Sequence, residues 1–448
     1  MLSAIRSSVT KSAVLKRTFA TSSGKTQYTS LQNGVTIATE SNPAATSASI
    51  GLYYGAGSTA ENAWNNGASN LLNKAVVGEN TAEAAKKGLV FSANTEREYS
   101  SYLVQGSSSS LSDAVEFLNS KVASFELNDA TVSKYRESLA QEVATFEETQ
   151  FGEKALEHLH NTAFQNTPLA LPKRGTSETI SDLITSDLAK FHKDNYVSSN
   201  AVVVATGNVD HAAIVDLVEK KLSIPSGIAP KVAAPKFLGS EVRLRDDTLP
   251  GAWIALAQKG AAVNSPDFYV AKVAAEIFGS YNYHEPIAKN LGVKLNGVVN
   301  ENHLADTYSH FSLSYKGAGL FGAQFFITNI GQIDDFVHFL LKEWNRLSIS
   351  ITDTEIARGK QLLKNKLAFA LDSQAAVNQS IGSQIVVSGR RASLEEAFAK
   401  IDKVDSAAIK AWAQANLWDQ DIAVAGTGQI EDLLDYNRMR NDTSMMRW

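Results

Sequence analysis

The chain has 448 residues, of which 44% are hydrophobic and 20% are charged, so it can bury large cores and should form two or three domains. Its formal net charge of -5 gives no electrostatic reason to bind nucleic acid or an anionic membrane surface. The sequence contains no cysteine, which excludes disulfide scaffolds, thiol catalysis and cysteine-ligated zinc or iron–sulfur sites.

The first residues have the composition of a mitochondrial transit peptide. They are rich in Ser, Thr, Lys and Arg, contain no acidic residue before Glu40, and lack the apolar run of a secretory signal. The segment Arg17-Thr18-Phe19-Ala20 resembles a matrix processing site that is cut before Ala20. We therefore predict a transit peptide at 1–19, with a merely basic tail as the alternative. No stretch of the chain is long and apolar enough to predict a transmembrane helix.

A strand, a glycine-rich turn and a helix are predicted next. The strand covers 47–58, and the helix begins near Ala68. On this helix Asn70, Asn73 and Lys74 stand where the zinc-peptidase motif H-x-x-E-H has His, Glu and His. In that motif two imidazoles on one helix face chelate the zinc, while the carboxylate polarises the zinc-bound water.

None of the three substituted residues can perform this chemistry. An amide oxygen is a weak neutral ligand, and the Lys74 ammonium has no lone pair and repels a metal ion. Neither residue type supplies a general base. The segment thus has the layout of an inverted zinc-peptidase motif without its chemistry, and an ordinary amphipathic helix is the alternative interpretation.

The chain is duplicated. Residues 48–57 parallel 252–261, and residues 187–209 parallel 408–430 as a helix, a buried strand, a Thr-Gly pair and a further helix. Repeats of this size are duplicated domains rather than solenoid units.

A linker is predicted between the two copies. Residues 223–237 carry three prolines and no acidic residue, so the segment should be extended and semi-rigid. It would separate an N-terminal domain at 28–222 from a C-terminal domain at 238–448. Strands are followed by long amphipathic helices, for example at 132–150 and 352–372, and this pattern favours an α+β fold.

Two further patterns have simple structural interpretations. Gly317, Gly319 and Gly322 have the G-x-G-x-x-G spacing, but a strand-like segment follows where a dinucleotide site needs a helix. His158 and His160 lie two residues apart on a predicted helix and point in different directions, so packing is favoured over a shared metal.

The C-terminal segment 433–448 alternates Arg with Tyr, Met and Trp. These residue types are enriched in buried interfaces, so we expect the segment to dock on a partner or on its own domain. A solvated tail is the alternative.

Four segments, in the same order, resemble the pitrilysin and mitochondrial processing peptidase family. They are the hairpin TSLQNGVTIATE, the strand-turn-helix described above, ANTEREYSSYLV at 93–104 and LEHLHNTAFQNTPL at 156–169. The resemblance implies a metallopeptidase-like fold of the LuxS and processing-peptidase type, with two similar α+β domains facing each other across a cavity. It also implies a third zinc-ligand carboxylate on a later helix, and Glu142 falls at that place. With Asn70, Asn73 and Lys74 replacing the other positions, the resemblance implies an inactive member without metal or cofactor.

Within this family, residues 237–256, 278–286, 336–350 and 418–448 are similar to the core-protein branch of yeast-type ubiquinol-cytochrome c reductase (complex III). The similarity implies a structural, non-catalytic subunit that carries no redox centre. It would lie on the matrix side of the mitochondrial inner membrane, peripheral to the membrane and bound through partners. The implied partners are a second core protein, cytochrome b and the other subunits of the dimeric complex, with a respiratory supercomplex as a further possibility.

The rival interpretation is a subunit of the mitochondrial processing peptidase that cleaves or presents presequences. A catalytic subunit needs the replaced histidines and glutamate. A presenting subunit is expected to have a long glycine-rich loop in the second half, and 278–286 has none. Ser92 also stands where active relatives tend to have the asparagine of N-A-x-T-x-R-E. A cavity that retains a cleaved presequence without cutting it stays open as a third possibility.

Overall fold

The computed structural model describes residues 25–445. The predicted transit peptide at 1–19 and its processing site at Arg17, Phe19 and Ala20 lie outside the described residues. Within them the chain forms two six-stranded mixed sheets with helices packed on each. The predicted fold class, two similar α+β domains, is confirmed.

The first sheet has the strand order β1-β2-β6-β3-β5-β4. Strands β2 and β6 are parallel and the other pairs are antiparallel. The Asn33-Gly34 turn of the hairpin TSLQNGVTIATE joins β1 to β2, with Gly34 at a φ of +96°. The strands are β1 (Gln27–Ser30), β2 (Thr36–Ser41), β3 (Ser47–Tyr54), β4 (Val90–Thr95), β5 (Ser100–Ser107) and β6 (Ala201–Gly207).

The second sheet has the order β7-β12-β8-β11-β10-β9, again with one parallel pair, β7 with β12. Gly319 and Gly322 of the glycine-rich pattern lie in β11, as the strand interpretation requires. The strands are β7 (Glu241–Arg245), β8 (Ala252–Lys259), β9 (Ser280–Asn282), β10 (Thr307–Ser314), β11 (Gly319–Ile327) and β12 (Ala423–Gly428).

The duplication extends to the register of the strands. Ser49 pairs with Thr206 in the first sheet, and Trp253 pairs with Thr427 in the second. Each repeat then ends on a glycine with positive φ, +106° at Gly207 and +98° at its counterpart in β12. A Cβ on Gly207 would lie 2.3 Å from the carbonyl oxygen of residue 47, so only glycine fits this close approach.

Helices cover the sheets. Those of the first half are α1 (Ala68–Lys86), α2 (Leu111–Leu118), α3 (Asp129–Thr149), α4 (Phe151–Ala163), α5 (Ser177–Asp182), α6 (Thr185–Asn195) and α7 (His211–Lys221). Those of the second half are α8 (Phe268–Phe278), α9 (Lys294–Asn302), α10 (Ile333–Leu347), α11 (Asp353–Phe369), α12 (Gln374–Ser388), α13 (Leu394–Asp402), α14 (Ser406–Asn416) and α15 (Tyr436–Met445). Between residues 25 and 445, no helix is long and apolar enough to cross a membrane.

Each half lends one helix to the sheet of the other half. Helix α4 follows the first sheet in the chain but packs on β8 and β12 of the second, where Leu159 joins Ala255 and Ala425 in one buried cluster. Helix α12 does the reverse and packs on β3 and β6, with Ile381 buried against Val204. The two halves therefore share hydrophobic cores as well as a chain connection.

The connection and the C-terminal segment follow their sequence patterns. Residues 222–240 of the described chain form neither helix nor strand. Helix α15 packs on α10, where Met439 is fully buried and Asn345 Nδ2 donates to the Asp442 carbonyl oxygen at 2.8 Å. Up to residue 445 the C-terminal segment thus docks on its own domain, the second of the two docking alternatives. The domain boundaries at 28–222 and 238–448 stay a prediction.

Candidate functional site

A cavity of about 550 Å³ opens between α1, α3 and β4. Asn70, Asn73 and Lys74 enter it from α1, and Glu142 enters it from α3. The structure thus brings together all four residues that the sequence places at a zinc-peptidase motif.

A buried carboxylate fixes the start of α1. Glu61 accepts hydrogen bonds from Gly67 N at 2.8 Å, Ser69 N at 2.7 Å and Asn66 Nδ2 at 2.8 Å. Burial raises the pKa of Glu61, and these hydrogen bonds oppose the rise because they favour the charged form. Gly67, at a φ of +97°, turns the chain into the helix. The loop therefore holds α1 and its cavity-facing side chains in a defined position.

Lys74 and Glu142 form an ion pair inside the cavity. The Lys74 Nζ atom donates to Glu142 Oε2, and the two side chains are 25% and 60% exposed. The carboxylate on α3 is thus occupied by an ammonium group from α1.

The two asparagines are held by local hydrogen bonds. Asn73 Nδ2 donates to Thr95 Oγ1 at 2.6 Å, and Asn70 Nδ2 donates to the Arg174 carbonyl oxygen at 3.1 Å. Asn73 Oδ1 is buried and has no hydrogen-bond partner among the described residues. The Nδ2 group of each asparagine is therefore used in a hydrogen bond within the fold, and only a neutral amide oxygen is left to face the cavity.

Sequence reasoning missed two cations of this cavity, Lys173 and Arg174, which lie on the loop between α4 and α5. Lys173 pairs with Glu96 at 2.9 Å, and the Arg174 guanidinium lies 4.3 Å from the centre of the Phe146 ring. The only feature of the sequence that could have drawn attention to them is that two basic residues are adjacent. A loop has no periodicity, so nothing in the sequence indicates that these residues lie close to α1. With Lys74, three cations and one carboxylate line the cavity.

A second cavity, of about 640 Å³, lies between the two halves and is lined by the Glu96-Arg97-Glu98 segment. Arg97 is buried and pairs with Glu157 at 2.6 Å, while Glu98 accepts from Lys316 N of the second half at 2.8 Å. Strand β4 is an edge of the first sheet. The charged side chains that follow it are already engaged in contacts of the fold.

His160, one of the paired histidines of α4, has a packing role. Its Nδ1 lies 2.7 Å from the Leu156 carbonyl oxygen and its Nε2 lies 2.6 Å from the Tyr315 hydroxyl. Nδ1 therefore carries the proton and Nε2 accepts from Tyr315, and burial lowers the pKa of His160 well below its usual range. Across the described part of the chain, no group of three or more His, Asp or Glu residues is arranged to hold a metal ion.

Comparisons with known proteins agree with this architecture. Residues 36–177 match the insulinase family, peptidase family M16, and residues 182–363 match the peptidase M16 inactive domain. Among curated relatives, cytochrome b-c1 complex subunit 1 of Saccharomyces cerevisiae is 48% identical over 98% of this chain and 99% of its own length. The cytochrome b-c1 complex reductase subunit of Candida albicans is 41% identical over 99% of both chains.

This chain is also similar to relatives that are described as subunits of a processing peptidase. The probable mitochondrial-processing peptidase subunit beta of Schizosaccharomyces pombe is 35% identical over 97% of this chain and 98% of its own length. Among solved structures, a chain of the Candida albicans complex III2 with Inz-5 bound has a TM-score of 0.88 and 40% identity, covering 94% of this chain and all of that chain. From the two matched domains and the full-length similarity, we conclude that the chain belongs to peptidase family M16, the insulinase family.

Proposed function

We propose that this chain is a structural, non-catalytic core subunit of the mitochondrial ubiquinol-cytochrome c reductase, required for assembly and stability of the complex. The proposal is supported by full-length similarity to cytochrome b-c1 complex subunits at 48% and 41% identity, and by the likeness to a chain of a complex III2 structure. Its partners would be a second core protein, cytochrome b and the other subunits. Because a partner that binds only the folded chain stabilises it, the subunit should lose stability outside the complex.

The observation that carries the non-catalytic part is the Lys74–Glu142 ion pair. Membership of peptidase family M16 implies a bound zinc ion, but the side chains that line this cavity are not suited to ligate zinc. The ammonium of Lys74 occupies the carboxylate that would ligate the metal, and it adds a positive charge where zinc would bind. Asn70 and Asn73 offer no imidazole and no base. We therefore derive no hydrolytic step for this chain and infer that the site is degenerate.

The alternative, a processing peptidase subunit, draws on the mitochondrial-processing peptidase relatives, such as the Schizosaccharomyces pombe protein at 35% identity. Presequences are basic, as the first residues of this chain illustrate. The three cations of the α1 cavity are each paired, Lys74 with Glu142, Lys173 with Glu96 and Arg174 with Glu153. Glu142 is the acidic residue of the described lining, so the cavity offers a basic peptide no unpaired carboxylate. The pairing of Glu142 with Lys74 thus favours the structural role over presequence binding.

We also propose that the precursor is imported and cut before Ala20, after Arg17 and Phe19, and that the mature subunit lies peripherally on the matrix side of the inner membrane. The basic composition of the first residues supports import. Sequencing the N-terminus of the subunit isolated from mitochondria tests the cleavage point.

The decisive experiment is purification of the tagged chain from inner membranes in mild detergent. Two activities are then measured on the same sample, antimycin-sensitive electron transfer from a quinol to cytochrome c and chelator-sensitive cleavage of a presequence peptide. We expect electron transfer without cleavage. Cleavage without electron transfer would overturn the proposal.

The variant Lys74→Met with Glu142→Gln provides a matched test of the cavity. In a strain that depends on this chain, we expect both the electron-transfer rate and the amount of assembled complex to stay within twofold of the wild type. A loss of activity at unchanged assembly would show that the cavity has a chemical role.

A further inference from the structure

A third cavity, of about 660 Å³, lies in the second half at the start of α8, between α11, α12 and α13. Its apolar wall includes Phe268, Tyr269, Leu367, Leu371 and Leu394. The volume lies in the range of pockets that bind small molecules. The cavity shares no lining residue with the α1 cavity that contains Lys74, but it shares Phe268 and Lys272 with the cavity between the two halves.

The polar part of this cavity is cationic. Lys272, Arg390, Arg391 and Lys400 line it, and the described residues of the lining include no Asp or Glu. Arg390 and Lys400 both pair with Glu396, at 2.9 and 3.0 Å, so this one carboxylate offsets one of their two charges. Lys272 and Arg391, in contrast, form no ion pair within 4 Å with any carboxylate of the described residues.

Lys272 is a half-buried ammonium group without a carboxylate within 4 Å among the described residues. Its one hydrogen bond goes to the Ser312 carbonyl oxygen at a long 3.4 Å, and its Nζ lies 4.9 Å from the centre of the Phe268 ring. The Glu276 carboxylate, which acts on Lys272 electrostatically, is paired with Lys366 at 2.8 Å. Desolvation lowers the pKa of Lys272 to about 8. A nearby anion would remove this penalty.

Arg391 likewise has unused hydrogen-bonding capacity at the cavity. Its Nε is buried without a partner in the described structure, while Nη1 donates to Ser380 Oγ at 2.7 Å. Gln384 Nε2 donates to the same Ser380 oxygen at 3.0 Å. Because two donors already point at this oxygen, the Ser380 hydroxyl proton is left to donate elsewhere. Burial lowers the pKa of Arg391, and the Glu40 carboxylate acts on it electrostatically in the opposite direction.

We propose that this cavity binds an amphipathic anion, with a phosphate or carboxylate head at Lys272, Arg391 and Ser380 and an apolar chain along Phe268 and Leu371. The head would receive hydrogen bonds from an ammonium, a guanidinium and a hydroxyl group, the donors that best recognise such anions. The apolar wall would bury the chain, which distinguishes this ligand from a free inorganic anion.

The test uses the full-length chain, purified in digitonin with the subunits it carries. The probe is dodecyl phosphate with a diazirine in its alkyl chain, and labelled peptides are identified by mass spectrometry after illumination. We expect labels within 263–272, 367–371 or 390–400. Labelling spread over the surface, or absent from these segments, would overturn the proposal.

Competition experiments identify the head group of the ligand and test whether its alkyl chain contributes to binding. Unlabelled dodecyl phosphate or dodecanoate should reduce labelling, and the stronger of the two identifies a phosphate or a carboxylate ligand. Dodecanol should compete at least tenfold less well, because it lacks the charge. Equal competition by dodecanol would refute an anion site, and equal competition by inorganic phosphate would refute the amphipathic ligand.

Variants test the named residues. Lys272→Met and Arg391→Gln should each reduce labelling roughly tenfold, the loss expected for one charge-assisted hydrogen bond. The exposed Lys342→Gln on α10 is the matched control and should label like the wild type. Each variant is compared with the wild type by its melting temperature. Unchanged labelling in both cavity variants, at unchanged melting temperature, would contradict the proposal.

Discussion

Each half contains its own six-stranded mixed sheet, but the halves differ in the helix that follows the first central strand, β3 or β8. In the first half this helix is α1, which turns Asn70, Asn73 and Lys74 toward a polar cavity. In the second half it is α8, where residues such as Val273 and Ala274 are fully buried in the main core. Its first turns instead line the cavity between α11, α12 and α13, through Phe268, Tyr269 and Lys272. The fold thus needs a helix packed at this place, but it does not fix which polar residues the helix turns toward a cavity. The cavity of the first half is a chemical feature that the architecture tolerates.

The exchanged helices give a second comparison. Helix α12 is fixed to the first sheet by Asn378, whose Oδ1 accepts from the Tyr53 hydroxyl at 2.7 Å and whose Nδ2 donates to the carbonyl oxygens of Ser49 and Val204, both at 2.9 Å. Helix α4 is attached beside the second sheet by the hydrogen bond between His160 and Tyr315, the residue that follows β10. The Asn378 contact does not titrate, whereas the His160 contact depends on a neutral imidazole. The two attachments should therefore respond differently to mutation and to pH.

The largest effect is expected for Asn378→Ala, which removes all three hydrogen bonds and leaves buried polar groups on the first sheet. Unsatisfied buried groups cost 1 to 3 kcal/mol each, so the free energy of unfolding should fall by about 3 kcal/mol. Urea unfolding of the purified chain measures it. Asn302→Ala is the control, since Asn302 is exposed and bonds only to its own helix, and it should change the value by less than about 0.5 kcal/mol. Equal effects would refute the role given to Asn378.

Gly382→Ala should be the next most damaging change. A Cβ at Gly382 would lie 2.4 Å from the buried Tyr53 ring, so α12 would be pushed off the first sheet at a cost of about 2 kcal/mol. The matched control is Gly297→Ala on α9, where a Cβ meets nothing within 4 Å. That change should be neutral or stabilising by up to about 1 kcal/mol. If both alanine variants unfold at the same urea concentration, close packing of α12 is not what limits this site.

The repeat and helix α12, which carries Asn378 and Gly382, show what the sequence could and could not predict. The repeat was visible because the strands at Ile50 and Ile254 share a local pattern, and it proved correct in register. Helix α12 shows a buried stripe at Val377, Ile381 and Ile385, but periodicity does not say which sheet that stripe covers. The exchange of helices between halves is a long-range choice that only the tertiary structure reveals.

The candidate site divides in the same way. Asn70, Asn73 and Lys74 share one helix, so their spacing alone predicted that they lie together. Glu142 came from the family resemblance, because nothing local relates α3 to α1. Arg174 reaches the cavity from a loop, where neither period nor motif indicates a neighbour.

The His160 attachment should make stability depend on pH. The pKa of His160 is well below its usual range in the folded chain, whereas the unfolded value is about 6.5. The unfolded state therefore binds more protons below pH 6.5, and this residue should contribute a loss of stability of up to about 1.4 kcal/mol per pH unit as the pH falls.

Unfolding of the wild type and of His160→Gln at pH 7.0, 6.0 and 5.5 measures this contribution. The variant should show a shallower fall in stability than the wild type over this range. The exposed His284→Gln is the control and should keep the wild-type slope. Parallel slopes for all three proteins would show that His160 is not the titrating attachment.

The smallest effect is expected where the chemistry of the first half differs most from that of the second. Lys74→Met breaks the ion pair with Glu142, but both partners are partly exposed and the loss in unfolding free energy should stay below about 1 kcal/mol. A double-mutant cycle with Glu142→Gln measures the coupling, and zinc should not raise the unfolding midpoint of the wild type. A zinc-dependent rise would mean that the asparagines and Glu142 bind metal despite the ammonium. If zinc has no effect and the coupling is below about 1 kcal/mol, the ion pair supports neither metal binding nor, to any large extent, stability. That is the state expected of a peptidase cavity that the fold no longer uses.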